Sequence, residues 1–340
     1  MPRRGATPAL LALLAVASLL AVGLGAVWIS PGSVLRLVGW KLGLAGQPAG
    51  VPDAHAVILF ELRLPRVALA MVVGAALAVA GTVFQALFRN PMADPAIIGV
   101  SSGAALGAIL VILAGGGAAL GGLGTQAAAF AGAVAVAFLV YRLARIGPSV
   151  QVATLLLAGI AVAAVVSAAI TLLMAFAGEQ VRSIYFWLLG NLGARGWDAL
   201  AVTAPVAGVG VLAALLATRD LNLMALGEER AGQLGLEVER FKRLALATGA
   251  LLSAAAVSAA GVIGFVGLMT PHILRLVLGA DHRRLLPAVA VGGALFLVLA
   301  DLVARLAIAP EEIPVGAITA LLGGPFFLFL LRRERRSAGD

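Results

Sequence analysis

Residues 146–178 read IGPSVQVATLLLAGIAVAAVVSAAITLLMAFAG, without one charged side chain. A helix crosses a hydrocarbon layer about 30 Å thick with ~20 apolar residues, and this run exceeds that length. Lipid offers no partner to a backbone N–H or C=O, so the segment must satisfy its own polar groups as a helix. Comparable charge-free stretches occupy 5–35, 67–88, 95–141, 199–218, 244–274, 285–300 and 313–331. Two of them need dividing: 95–141 is too long for one span, and 244–274 is a marginal case of the same kind. Gly115–Gly117 with Gly121–Gly124, and Gly261-Val-Ile-Gly264, supply the turns. The expected spans are then ten, at about 8–30, 67–88, 96–114, 122–141, 150–177, 198–218, 244–261, 263–278, 286–307 and 313–331.

Composition agrees. The 340 residues are 62% hydrophobic and only 12% charged, with a mean hydropathy of +1.07. A soluble domain carries about a quarter charged residues, so this chain could not clothe a water-facing surface. The fold class expected is an all-α polytopic membrane protein forming a single domain over 1–340. Its 42 glycines suit close helix approach, and Gly99, Gly103 and Gly107 fall on one helix face. Residues 1–30 resemble a signal peptide in having Arg3 and Arg4 before an apolar run. That run is longer than a 7–15-residue signal core, so a retained first helix is expected.

An even number of spans puts both termini on one side. Seventeen of the 24 Lys and Arg fall on that side, and Arg36, Lys41, Arg63, Arg66, Arg182, Arg195 and Arg305 on the other. The positive-inside bias therefore predicts cytoplasmic termini. It also accounts for the net charge of +8 without nucleic acid. With no cysteine and three scattered histidines, neither a thiolate centre nor a HExxH metal site can form. No bound metal and no catalytic residue is expected.

The one long loop on the termini side, 219–243 (RDLNLMALGEERAGQLGLEVERFKR), mixes charges with Leu and Met. It reads as two short helices broken at Gly227 and Gly235, either a solvated connector or a docking element with apolar residues to bury. No GxxxxGK[ST] loop is present, so an ATP-driven process would need its ATPase on another chain. Asn90-Pro91 and Asp94-Pro95 mark a tight turn between the second and third spans. Asp301 lies inside a span, where an acid raises the question of a proton relay. Arg305, four residues on, equally suits an internal ion pair. The outer-side segment 179–197 places Arg182, Tyr185, Phe186 and Trp187 together, as an interfacial anchor or as contacts for a flat anionic ligand.

Many motifs, in order, resemble one family. They include Arg63-Leu-Pro-Arg66, Gly81, Gln85, Arg89-Asn-Pro-Met-Ala-Asp-Pro95 and Gly99-Val-Ser-Ser-Gly-Ala104. Gly261-Val-Ile-Gly-Phe-Val-Gly-Leu268, Pro271-His-Ile-Leu-Arg275, Asp281-His-Arg283, Ala300-Asp-Leu-Val-Ala-Arg305, Ile313-Pro-Val-Gly316 and Gly323-Gly-Pro-Phe326 follow. From about residue 58 onward the chain resembles the FecCD-type permease subunits of ABC importers for iron–siderophore complexes, haem and cobalamin. The resemblance implies a type II ABC importer permease architecture of about ten helices per subunit in a bacterial inner membrane, working as a homodimer. Its implied partners are a second copy of the chain, two cytoplasmic ATP-binding subunits holding ATP and Mg, and a periplasmic substrate-binding protein.

On that resemblance, 219–243 is the coupling loop, with Glu229, Arg230, Ala231, Leu234 and Gly235 on the ATPase. Arg63, Arg66 and Arg305 would dock acidic groups of the binding protein. The path would run along the fifth span (Leu157, Ser167, Thr171) past Arg182, Tyr185, Phe186 and Trp187, with haem, siderophore or cobalamin as cargo and haem favoured. A secondary transporter would need acids at mid-membrane and has only Asp301. An intramembrane enzyme would need a paired acid and base, which the sequence does not offer.

Overall fold

The computed structural model describes residues 6–46, 50–116, 122–147, 149–193 and 195–337. Arg3, Arg4 and the Gly117 and Gly121 ends of the glycine turn lie outside these residues, as do the side chains of Arg333, Arg335 and Arg336. The chain runs through α1 (Ala6–Gly23), α2 (Pro31–Lys41), α3 (Asp53–Val57), a wider π-type turn (Ile58–Arg63) and α4 (Leu64–Leu87). It continues with α5 (Val100–Leu113), α6 (Leu123–Ala144), α7 (Val152–Ala175), α8 (Val181–Leu188) and α9 (Trp197–Leu216). Then come α10 (Thr218–Ala225), α11 (Glu228–Gln233), α12 (Val238–Ala260), α13 (Val266–Leu278), α14 (His282–Leu306) and α15 (Val315–Ser337).

Seven of these helices are long and apolar enough to cross a bilayer, and α5, α13 and α15 supply three shorter apolar ones. An apolar helix lies at each of the ten expected positions, although the ends move. Helix starts at 53 rather than 67 in the second span, and at 238 rather than 244 in the seventh. A charge-free run marks the lipid-facing length, whereas a helix continues beyond it through Glu61 and Arg63, or Glu239 and Lys242. The loop between the sixth and seventh spans is correspondingly shorter than 219–243, because its last six residues form the first turns of α12.

The helix α4 is the axis of the bundle, with 78% of its most apolar window buried against α14, α12, α13 and α9. Small residues permit this. A Cβ on Gly74 would overlap the Gly293 carbonyl of α14, and one on Gly81 the Gly267 carbonyl of α13. Such backbone-to-backbone contact gains dispersion energy where lipid provides no hydrophobic drive between helices. Gly103 and Gly107 likewise meet Gly132 and Ala128 of α6, as the sequence spacing predicts. The break at Gly261–Gly264 separates α12 from α13 as expected. In contrast, α1 and α7 keep most of their surface exposed.

Candidate functional site

Three regions carry the sequence-predicted residues. At the end of the bundle that holds the termini, α10 and α11 lie across the helix ends. Leu221 and Met224 are buried against the bundle, fixing α10 in place. Asn222 then joins α10 to the start of α14. Its Nδ2 donates to Asp281 Oδ1 (2.8 Å), and its Oδ1 accepts from the His282 backbone N–H (2.9 Å) and faces His282 Nδ1 at 2.8 Å. Asp281 also caps α14 by accepting from the Arg283 N–H. The Asn222 bond and this backbone bond hold the Asp281 carboxyl below the usual carboxylate range.

The helix α11 is tied down differently. Lys242, buried on α12, pairs with Glu228 and with Glu239, and also donates to the Val150 carbonyl. Glu229, Arg230, Leu234 and Gly235 face outward, with Leu234 55% exposed. Ala231 is buried, so it supports the segment from beneath and is not a contact residue. The result is a rigidly anchored ledge presenting a leucine between charged side chains.

At the opposite end, Arg63, Arg66 and Arg305 are 6%, 8% and 6% exposed. This corrects their expected use as docking charges at the surface. Arg66 holds Asp301 on one side (Nη2–Oδ1 2.9 Å) and the half-exposed Glu312 on the other (2.8 Å). Arg305 pairs with Asp301 at 3.1 Å, the internal ion pair foreseen from their i,i+4 spacing. Its two terminal nitrogens donate to the Leu24 and Ala21 carbonyls. Arg63 donates to the carbonyls of Val22, Gly23 and Val27. Two arginines thus satisfy the orphan carbonyls at the end of α1, which has no basic residue in its own last turn. A polar crevice of about 460 Å³ lies over this network, with Glu312 and Asn191 at its wall.

The third region is the outer face of α7 with α8. Leu157 (69% exposed), Ser167 and Thr171 lie on an apolar stripe open to the outside of the subunit. On α8, Arg182 stands 5.7 Å from the centre of the Phe186 ring, and Tyr185 is 56% exposed. Trp187 departs from the expected grouping. It is 6% exposed and turned into the core, as is Ile184 one turn before it.

Sequence reasoning missed Asn222, Glu228, Lys242 and Glu312. A clue existed for Lys242, since a lysine three residues after Glu239 at a helix start invites pairing. None existed for Asn222, whose partners lie about sixty positions away.

Comparison with known proteins follows the same lines. The model of the FecCD transport family matches residues 13–333. The cobalamin import system permease protein BtuC of Halobacterium salinarum is 50% identical over 289 residues, 85% of this chain and 77% of that protein. The hemin transport system permease protein HmuU of Yersinia pestis is 46% identical over 286 residues, 83% of this chain and 85% of that one. A solved structure described as an inward-facing metal-chelate type ABC transporter superposes with a TM-score of 0.82. It is 31% identical and covers 96% of this chain and 98% of that one.

Proposed function

The chain belongs to the FecCD transport family and is an ABC importer permease, and on that premise we propose how it works. Two copies meet across the exposed stripes of α7, enclosing a path between them. ATP-binding subunits dock on the ledge of α10 and α11, and a substrate-binding protein delivers cargo at the opposite end. The basic residues concentrated on the termini side support a bacterial inner-membrane location with both termini in the cytoplasm. ATP-driven movement of the ledge reaches the bundle through Asn222 into α14 and through Glu228–Lys242 into α12, rocking it between outward- and inward-open forms.

The cargo we propose is a large metal chelate, with haem favoured. The observation that carries this is the exposed Arg182–Tyr185–Phe186 group beside an otherwise apolar α7 stripe. A guanidinium can meet a propionate while the rings meet a flat apolar face. Cobalamin is the second reading, favoured by the 50% identity to the Halobacterium salinarum permease. Proteoliposomes holding the permease and its ATPase, given haem, cobalamin or a ferric siderophore on its own binding protein, test the proposal. ATP-dependent uptake of haem is expected. Uptake of another chelate alone would reassign the cargo and leave the permease reading intact.

A further inference from the structure

Away from the α7 stripe, a cavity of about 330 Å³ opens between α6 and α12. Its walls are apolar, among them Phe138, Leu155, Leu246 and Ala250, and its two polar lining residues are Tyr141 and Arg243. Because α6 runs toward the termini end and α12 runs away from it, both polar groups sit at that one end. Val134 and Leu251 line it about 10 Å deeper, at 1.5 Å per residue. Leu155 lies on the opposite side of α7 from Leu157, so the crevice is separate from the face assigned to the second copy.

Charge at the mouth is one-sided. Arg243 lines the mouth, and Arg142 and Arg145, also exposed, lie at the same end of α6. Arg142 lies over the Phe138 ring at 5.8 Å, Arg145 donates to the Gly147 carbonyl, and Arg243 donates to the Glu239 carbonyl. None of the three has a carboxylate partner among the described residues. The nearby acids are engaged elsewhere, Glu239 by Lys242 and the Val150 N–H, and Glu237 by Arg240. The crevice opens beside Phe138, Leu139 and Leu143, all exposed on α6, where a spanning helix meets lipid.

We infer that this crevice holds an anionic phospholipid, with its phosphate at Arg243 and Tyr141 and one acyl chain lying between α6 and α12. A phosphate accepts charge-assisted hydrogen bonds from a guanidinium and an ordinary one from a phenol. The apolar walls match a chain and offer a peptide no polar partner. A choline headgroup would bring a cation beside three arginines, which disfavours a zwitterionic lipid. The inference rests on the membrane-spanning fold and does not depend on the identity of the cargo.

The test uses purified full-length protein in nanodiscs of phosphatidylglycerol or of phosphatidylcholine, with soluble glycerol phosphate as a headgroup control. Thermal unfolding and native mass spectrometry of retained lipid are the readouts. Phosphatidylglycerol is expected to raise Tm by about 2–4 °C over phosphatidylcholine and to persist as one bound molecule per chain. Arg243→Gln should erase that difference and cut retention about tenfold, while Arg243→Lys keeps part of it. Ala250→Trp should expel the lipid by filling the groove with every charge in place. Should that variant fail to fold, the exposed Arg243 substitutions decide. Equal stability in both lipids, full retention in Arg243→Gln, stabilisation by glycerol phosphate alone, or a dependence on protein concentration showing a second copy in the crevice would each overturn the inference.

Discussion

The Arg66 Nη2 atom on α4 lies 2.9 Å from Asp301 Oδ1 on α14, and both side chains are almost wholly enclosed. This contact joins the central helix of the bundle to its principal neighbour across 235 positions of sequence. Asp301 also holds Arg305, so its carboxylate faces two buried cations, with Glu312 as a second partner of Arg66. Removing a single partner from such a group leaves uncompensated charge. Asp301→Ala is expected to cost about 3–5 kcal/mol, read as a lowered unfolding temperature in detergent. Charge reversal at Arg63 or Arg66 should act the same way, through folding rather than through binding-protein affinity. Normal stability with weakened docking would restore the surface role that their burial argues against.

Tight backbone contact gives a second prediction. Gly81→Ala pushes a methyl group into the Gly267 carbonyl and should destabilise the protein by at least about 1–3 kcal/mol. Gly208, inside α9, has open space where its Cβ would sit. Gly208→Ala should therefore be neutral or stabilising by up to ~1 kcal/mol through helix propensity. Parallel thermal melts of the two variants check the contrast.

These cases show what could be read from the chain alone. Charge-free runs, two of them divided at glycines, located the ten apolar helices, because lipid excludes charge from whole segments. Glycines marked the turn after α12, and the Asp301–Arg305 spacing announced its ion pair. Arg66–Asp301 was not legible, since the two residues share no local pattern. Nor was the capping of α1 by Arg63 and Arg305, which depends on three helix ends meeting. Trp187 was grouped with Arg182, Tyr185 and Phe186 because all four are adjacent in sequence. On α8 the 3.6-residue period turns Ile184 and Trp187 inward and the others out.

That distinction is itself measurable. Phe186→Ala should slow uptake while leaving stability within about 0.5 kcal/mol. Trp187→Ala should instead cost about 3–5 kcal/mol of stability by opening the core. Transport per folded molecule would then separate the two. An unchanged melt for Trp187→Ala would place that ring on the path after all.

The Asn222–Asp281 link predicts a pH response. The Asp281 carboxyl is held below its ordinary range, so its contribution is fully present above the unfolded value of about 4 and is lost as pH falls through the lower folded value. Stability from this link should be flat across neutral pH and fade only in acid. Asp281→Asn should remove that part of the acid dependence, and melts between about pH 3 and pH 7 would show it.

On the ledge, Arg230→Ala with Leu234→Ala removes exposed side chains that support no part of the bundle. The double variant should insert and melt normally, keep its substrate path, and lose most ATP-driven uptake. Wild-type uptake would mean that the ATPase engages the permease elsewhere.

The most direct test of the central claim is the energy source of transport. Proteoliposomes containing this chain are assayed with and without its ATPase and ATP, in the presence and absence of a proton gradient. Accumulation only with ATPase and ATP, indifferent to the gradient, is predicted. Gradient-driven accumulation by the chain alone, abolished in Asp301→Asn, would contradict the account.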